Sequence, residues 1–207
     1  MSKFKPRCRL YLQVAAPITA MLERRLSQAL DEVSPACVLI SGGSGRLESA
    51  VLDGLIDRIQ GAGAACLIEN DIEASAELGA DGVHIAADPA LYERARQTLG
   101  ESANIGVGCG LSRHDAMTLA ESGADYVAFG AVEGGDLDAL AELVAWWSEI
   151  FVVPSIAWDI ESIAEAERLT KLGVDFIALP RTIWEDDDAL DILRDMDRAI
   201  GSIRRDA

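Results

Sequence analysis

Positive charge is scarce in this chain. Eighteen Lys and Arg face thirty-five Asp and Glu, for a formal net charge of −17. A protein that grips a phosphate backbone needs a basic surface, so nucleic acid is excluded as a partner. An anionic small molecule can be held only by a local positive pocket or a metal ion acting against the overall field. Metal-ligating side chains are also few. There are two histidines, His84 and His114, and four cysteines, Cys8, Cys37, Cys66 and Cys109, with no CxxC pair. Each cysteine falls in or beside an expected strand and reads as a reduced core residue, not as a zinc ligand or half of a disulfide. No apolar run is long enough to span a bilayer, so no membrane partner is expected. The basic start, MSKFKPRCRLYL, lacks the apolar core and small-residue cleavage site of a signal peptide, which places the protein in the cytoplasm. Linkers and low-complexity segments are absent, and 207 residues, half of them apolar, suit one domain over 1–207.

What is present is a repeated strand–helix unit. Ala65 to Asp88 reads as a short apolar strand ending at Asn70-Asp71, a short helix closed by Gly79, and a second apolar strand, Gly82-Val83-His84-Ile85, closed by Asp88-Pro89. The joint AELGADGVHI (76–85) returns as AESGADYVAF (120–129) and more weakly as TKLGVDFIAL (170–179), with the glycines 44 and 50 residues apart. That offset spans two strand–helix units each time. Taken in order, the strands are Arg9–Val14, Ala36–Ile40, the two of the central unit, Asn104–Gly108, Tyr126–Gly130, Phe151–Ala157 (with Pro154 as a caution) and Phe176–Leu179. Helices are expected over Ala20–Val33, Leu47–Gln60, Pro89–Leu99, Ser112 to about Glu121, Asp136–Trp147, Ile160–Leu172 and Asp187–Ile203. Eight such units imply an α/β fold, a single-domain (β/α)8 TIM barrel, favoured over an open doubly wound sheet because no Gly-rich dinucleotide fingerprint follows the first strand.

Active sites of such barrels lie at the carboxyl ends of the strands. After the second strand comes Ser41-Gly42-Gly43-Ser44-Gly45-Arg46, whose backbone N–H groups, helix start and arginine could form an anion site; a flexible loop is the equal alternative. Asn70 and Asp71 follow the third strand and Asp88 the fourth. Asp71 and Asp88 could share a magnesium ion beside substrate phosphates, although capping of the helices that follow is favoured. His84 could serve acid–base chemistry if it points inward near the top, or be a hydrogen-bonded core residue. Trp158 is an aromatic lid candidate, and Arg181 stands where barrel phosphates bind. His114 is expected in solvent. Lys171 is the only lysine beyond Lys3 and Lys5 and falls near the barrel bottom, which counts against Schiff-base chemistry of an isomerase or aldolase type.

These motifs resemble the thiamine phosphate synthase family, small (β/α)8 barrels that join a pyrimidine diphosphate to a thiazole phosphate and release diphosphate. The resemblance rests on LIENDIEASAELGADGVHIAAD, IGVGCGLSRHDAMTLAESGADYVAFG and LGVDFIAL. It implies thiamine biosynthesis, a transferase reaction, a phosphorylated small-molecule ligand and magnesium at the position of Asp71. Homo-oligomerisation is left open. The family strand end Ile-Asn-Asp-Arg is Glu69-Asn70-Asp71-Ile72 here, and its Gly-Gln-Glu-Asp is Ala86-Ala87-Asp88-Pro89. Its Gln-x-Arg-x-Lys is Ile40-Ser41-Gly42-Gly43-Ser44, and its Ser-x-His is Gly108-Cys109-Gly110. Its Pro-Thr-x-Thr-Lys loop is cut to Glu133-Gly134-Gly135-Asp136, and its Gly-Gly-Ile is Ala157-Trp158-Asp159-Ile160. Losing one charged contact to a buried phosphate costs about 2–5 kcal/mol. The set of departures therefore predicts little or no authentic synthase activity. Two readings stay open: a working enzyme with a rebuilt site, in which the 41–45 loop, Arg46 and Arg181 replace the lost basic residues, and a silent relative that binds a phosphorylated molecule or a protein partner.

Overall fold

Strands buried on both faces need helices over the outer face of their sheet and a filled interior. The computed structural model, which describes residues 7–42, 49–130 and 136–203, meets both needs by closing the sheet. Eight parallel strands pair in chain order and the eighth returns to the first: β1 (Arg9–Ala15), β2 (Cys37–Ser41), β3 (Ala65–Glu69), β4 (Gly82–Ala86), β5 (Asn104–Gly110), β6 (Tyr126–Phe129), β7 (Ser155–Ala157) and β8 (Phe176–Ala178). The helices are α1 (Ala20–Val33), α2 (Ser49–Gly61), α3 (Ile72–Leu78), α4 (Pro89–Leu99), α5 (Arg113–Glu121), α6 (Leu137–Ile150), α7 (Ile163–Lys171) and α8 (Ala189–Gly201). The expected (β/α)8 barrel is the observed fold.

Boundaries moved where a residue's chemistry forced them. The seventh strand covers only Ser155–Ala157, not Phe151–Ala157, because Pro154 has no N–H for the ladder. Its carbonyl still accepts from Val127 N–H at 3.0 Å. Helix α7 starts at Ile163, not Ile160, with Ser162 as its cap. A 3-10 turn over Arg181–Glu185, not foreseen from the sequence, precedes α8.

The repeated Gly-x-Asp joint has a structural reason. Gly79, Gly123 and Gly173 each take positive φ at the end of a helix, where a Cβ would be strained. Two residues on, Asp81, Asp125 and Asp175 each clasp the preceding strand. Their carboxylates accept from the N–H of Cys66 (2.7 Å), Ile105 (2.8 Å) and Ser155 (2.9 Å). Their own N–H groups return to the carbonyls of Cys66, Ile105 and Ser155. One motif thus stitches β3 to β4, β5 to β6 and β7 to β8 at the amino ends, and leaves the carboxyl ends to function.

Alternation along the strands divides the apolar residues into two sets. Leu10, Leu12, Val14, Val38, Ile40, Val107 and their equivalents meet the helices. Tyr11, Cys37, Leu39, Leu67, Tyr126, Ala128, Ile156 and Ala178 fill the barrel. On β5 the inward residues are glycines. A Cβ on Gly106 would lie 1.8 Å from Cζ of Tyr126, so that ring occupies the space the glycine leaves. Between Gly108 and Gly110 the register with β6 shifts by one residue, a bulge beside the mouth of the barrel.

Candidate functional site

The carboxyl ends of the strands enclose a cavity of about 230 Å³ lined by Glu69, His84, Gly108, Gly110, Ala128, Gly130 and Trp158. Trp158 follows β7 directly and lies over His84, ring centroids 4.8 Å apart and planes within 14°. Gly130 makes this possible, since a Cβ there would approach Cβ of Trp158 to 2.8 Å. Glycines on β5 and just after β6 therefore leave room for the stacked pair, which gives the cavity a flat aromatic wall.

Arg181 stands at the start of the turn after β8 and bonds through all three guanidinium nitrogens. Nη2 donates to Glu69 at 2.6 Å, Nη1 to the Ser41 hydroxyl at 3.0 Å and Nε to the Gln13 side-chain oxygen at 3.3 Å. Gln13 is fixed in turn, its amide donating to Asp159 at 3.0 Å and to the Leu179 carbonyl at 2.9 Å. Ser41 is buried and also donates to the Val14 carbonyl. Strands β1, β2, β3 and β8 thus all contribute to one network. Asn70 and Asp159, at the ends of β3 and β7, both hold positive φ, a backbone cost that collects at functional sites.

Below the cavity a chain of neutral hydrogen bonds runs into the barrel. Nδ1 of His84 lies 3.0 Å from the Tyr126 hydroxyl, which lies 2.9 Å from the Tyr11 hydroxyl. Burial, helped by the charge of Arg181, holds the His84 imidazole down to a pKa of about 4, so it is neutral at pH 7. Burial likewise raises both phenols and the Cys37 thiol beside Tyr11. Desolvation also pushes Cys66 and Cys109 up to about 12. An imidazole that accepts at Nδ1 carries its proton on Nε2, and Nε2 faces Gly108 on the cavity wall.

The residues singled out in the sequence distribute as follows. Ser41, His84, Trp158 and Arg181 converge at the mouth. Gly42 follows Ser41 directly, while Gly43, Ser44, Gly45 and Arg46 lie outside the described residues, as do Glu133, Gly134 and Gly135. Asn70 accepts from the Ala86 N–H at 3.2 Å and ties β3 to β4. Asp71 caps α3, accepting from Ala74 N–H at 2.9 Å; Asp88 caps α4, accepting from Ala90 and Leu91 at 2.8 and 3.3 Å. Capping uses one oxygen of each carboxylate. Among the described residues no group of three or more His, Cys, Asp or Glu is placed to hold a metal. His114 is exposed, as expected.

Gln13, Glu69, Tyr11 and Tyr126 were not picked out from the sequence. Period-two alternation does point to all four. Glu69 pairs in register with His84, His84 with Gly106, and Gly106 with Tyr126, so the inward direction of one fixes the others.

Residues 22–183 match the family model described as thiamine monophosphate synthase. A thiamine-phosphate synthase of Rhodospirillum centenum is 33% identical over 197 residues, covering 86% of this chain and 89% of that one. Another from Hyphomonas neptunium is 32% identical, covering 89% of each. Among solved structures, thiamine phosphate pyrophosphorylase from Pyrococcus furiosus superposes with a TM-score of 0.74 at 16% identity, over 92% of this chain and 95% of that one, a likeness of fold.

Proposed function

The chain belongs to the thiamine monophosphate synthase family, and from that premise we propose that its barrel mouth binds a small molecule of the thiamine class while the family's condensation is weak or absent. One observation carries this reading. The guanidinium of Arg181, at the place where barrels hold phosphate, is already bonded on every nitrogen by Glu69, Ser41 and Gln13. Diphosphate release requires positive groups aimed at the developing charge. A guanidinium neutralised by its own chain's carboxylate offers little of that.

The flat aromatic cavity supports ring binding independently of charge. Trp158 and His84 give a stacking surface, and Nε2 of His84, on the wall at Gly108, gives a ring nitrogen that donates or accepts according to its tautomer. Magnesium belongs to the same proposal. Asp71 and Asp88 each keep one oxygen outside the cap, which fits an ion held by one or two carboxylates and completed by ligand phosphates. When bound, the ion supplies positive charge to a diphosphate. The cytoplasm suits four buried cysteines outside any disulfide, and among the described residues no helix is long and apolar enough to cross a membrane.

The test is turnover of hydroxymethylpyrimidine diphosphate and thiazole phosphate, with and without magnesium, beside calorimetry of thiamine phosphate. Binding with negligible product is expected. Rapid thiamine phosphate synthesis overturns the proposal.

A further inference from the structure

The cavity is lined by Glu69 but not by Arg181, so a molecule in the cavity contacts the carboxylate and not the guanidinium paired with it. The carboxylate is one-fifth exposed and the arginine side chain about 37% exposed, yet the arginine is held at 2.6 Å by Glu69 and on its other nitrogens by Ser41 and Gln13. Gln13 cannot turn away cheaply, because Asp159 and the Leu179 carbonyl fix its amide. The whole arrangement presents to the cavity an acceptor of negative charge. Asp159, at the same rim, adds a second carboxylate. Beside Glu69, on the neighbouring strand, stands the neutral imidazole of His84 under the indole of Trp158, surfaces that accept a flat ring and favour a cationic one.

We infer that Glu69 is the specificity-determining residue of the mouth: its carboxylate occupies the anion position on Arg181, turning the cavity toward flat nitrogen heterocycles that donate N–H or carry positive charge, and away from phosphate. The inference rests on the mouth being the ligand site. Glu69 is a built-in competitor for any anion that seeks Arg181. Removing its charge leaves Arg181 with neutral partners alone and an uncompensated positive charge beside the cavity.

The experiment is calorimetric titration of the full chain without magnesium, using pyrophosphate, thiamine and thiamine phosphate. The wild type binds pyrophosphate negligibly and thiamine phosphate no more tightly than thiamine. Glu69→Gln, close in shape and still an acceptor for Arg181, gains about tenfold or more in pyrophosphate affinity and loses about tenfold for thiamine. Glu69→Gln combined with Arg181→Met loses the gain. An unchanged pyrophosphate affinity in Glu69→Gln, or a gain that survives the second substitution, overturns the inference. So does tighter binding of thiamine phosphate than of thiamine by the wild type. Should unfolding show that Glu69→Gln is misfolded, Glu69→Ala is read in the same way. A wild type that binds neither thiamine compound defeats the functional proposal alone, and the pyrophosphate arm then decides the role of Glu69.

Discussion

Nδ1 of His84 lies 3.0 Å from the hydroxyl of Tyr126, and the two rings lie within 11° of parallel. This pair is buried, and burial sets its titration. The folded His84 has a pKa of about 4, below the ordinary 6.5. Above pH 6.5 neither the folded nor the unfolded imidazole is protonated, and the full stability is present. Between 6.5 and about 4 the unfolded chain takes up a proton that the folded chain refuses, so stability falls as pH falls, by up to about 1.4 kcal/mol per pH unit from this group. Denaturant unfolding of wild type and His84→Gln from pH 7.5 to 4.5 checks this. The stability gap between them is expected to shift against the wild type as pH drops. Nitrogen NMR, with only two histidines to assign, should show no protonation of His84 between pH 7 and 5.

Tyr126→Phe removes one hydroxyl and strands two partners, since the oxygen is shared by His84 and Tyr11. A buried polar group left unpaired costs about 1–3 kcal/mol. A drop of that size in unfolding free energy is expected. The same NMR spectrum should show the His84 proton no longer confined to one ring nitrogen, a change that loss of packing alone does not produce.

Gly106→Ala should be among the worst single substitutions in the barrel. The added methyl meets Cζ of Tyr126 at 1.8 Å, and the ring is held by hydrogen bonds at its far end. Overpacking of this kind costs about 1–3 kcal/mol or more. Pairing Gly106→Ala with Tyr126→Leu, which frees the space, should recover part of the loss in denaturant midpoint, whereas additive losses would contradict the steric account.

The joints at Gly79, Gly123 and Gly173 were readable because their chemistry is local: a left-handed helix end and an aspartate two residues later recur in the sequence wherever that turn recurs. The caps at Ser112, Asp71 and Asp88 were readable for the same reason. Glu69 and Arg181 were harder, being separated by 112 positions and brought together only by ring closure of β8 onto β1. Arg181 was singled out by its place after the last strand, but nothing local to it announces a carboxylate partner. Pro154 shortened β7 as its missing N–H requires, while no capping side chain announces the 3-10 turn at Arg181–Glu185. Asp81→Ala tests the readable part: loss of the Cys66 clasp should cost about 1–2 kcal/mol, and Asp81→Asn, which keeps an acceptor, should cost less.

Asp71 carries two roles that one substitution can separate. As a cap it accepts from Ala74 N–H, and asparagine caps a helix about as well as aspartate. As a magnesium ligand it needs its charge. Asp71→Asn should therefore unfold within about 0.5 kcal/mol of the wild type, while Asp71→Ala loses about 1 kcal/mol. With Arg181 closed by Glu69, the ion is the remaining route among the described residues by which the strand ends could hold diphosphate. Magnesium should thus strengthen binding of hydroxymethylpyrimidine diphosphate to the wild type and leave Asp71→Asn unchanged. Equal strengthening in both proteins would confine Asp71 to the helix it caps and assign the ion elsewhere.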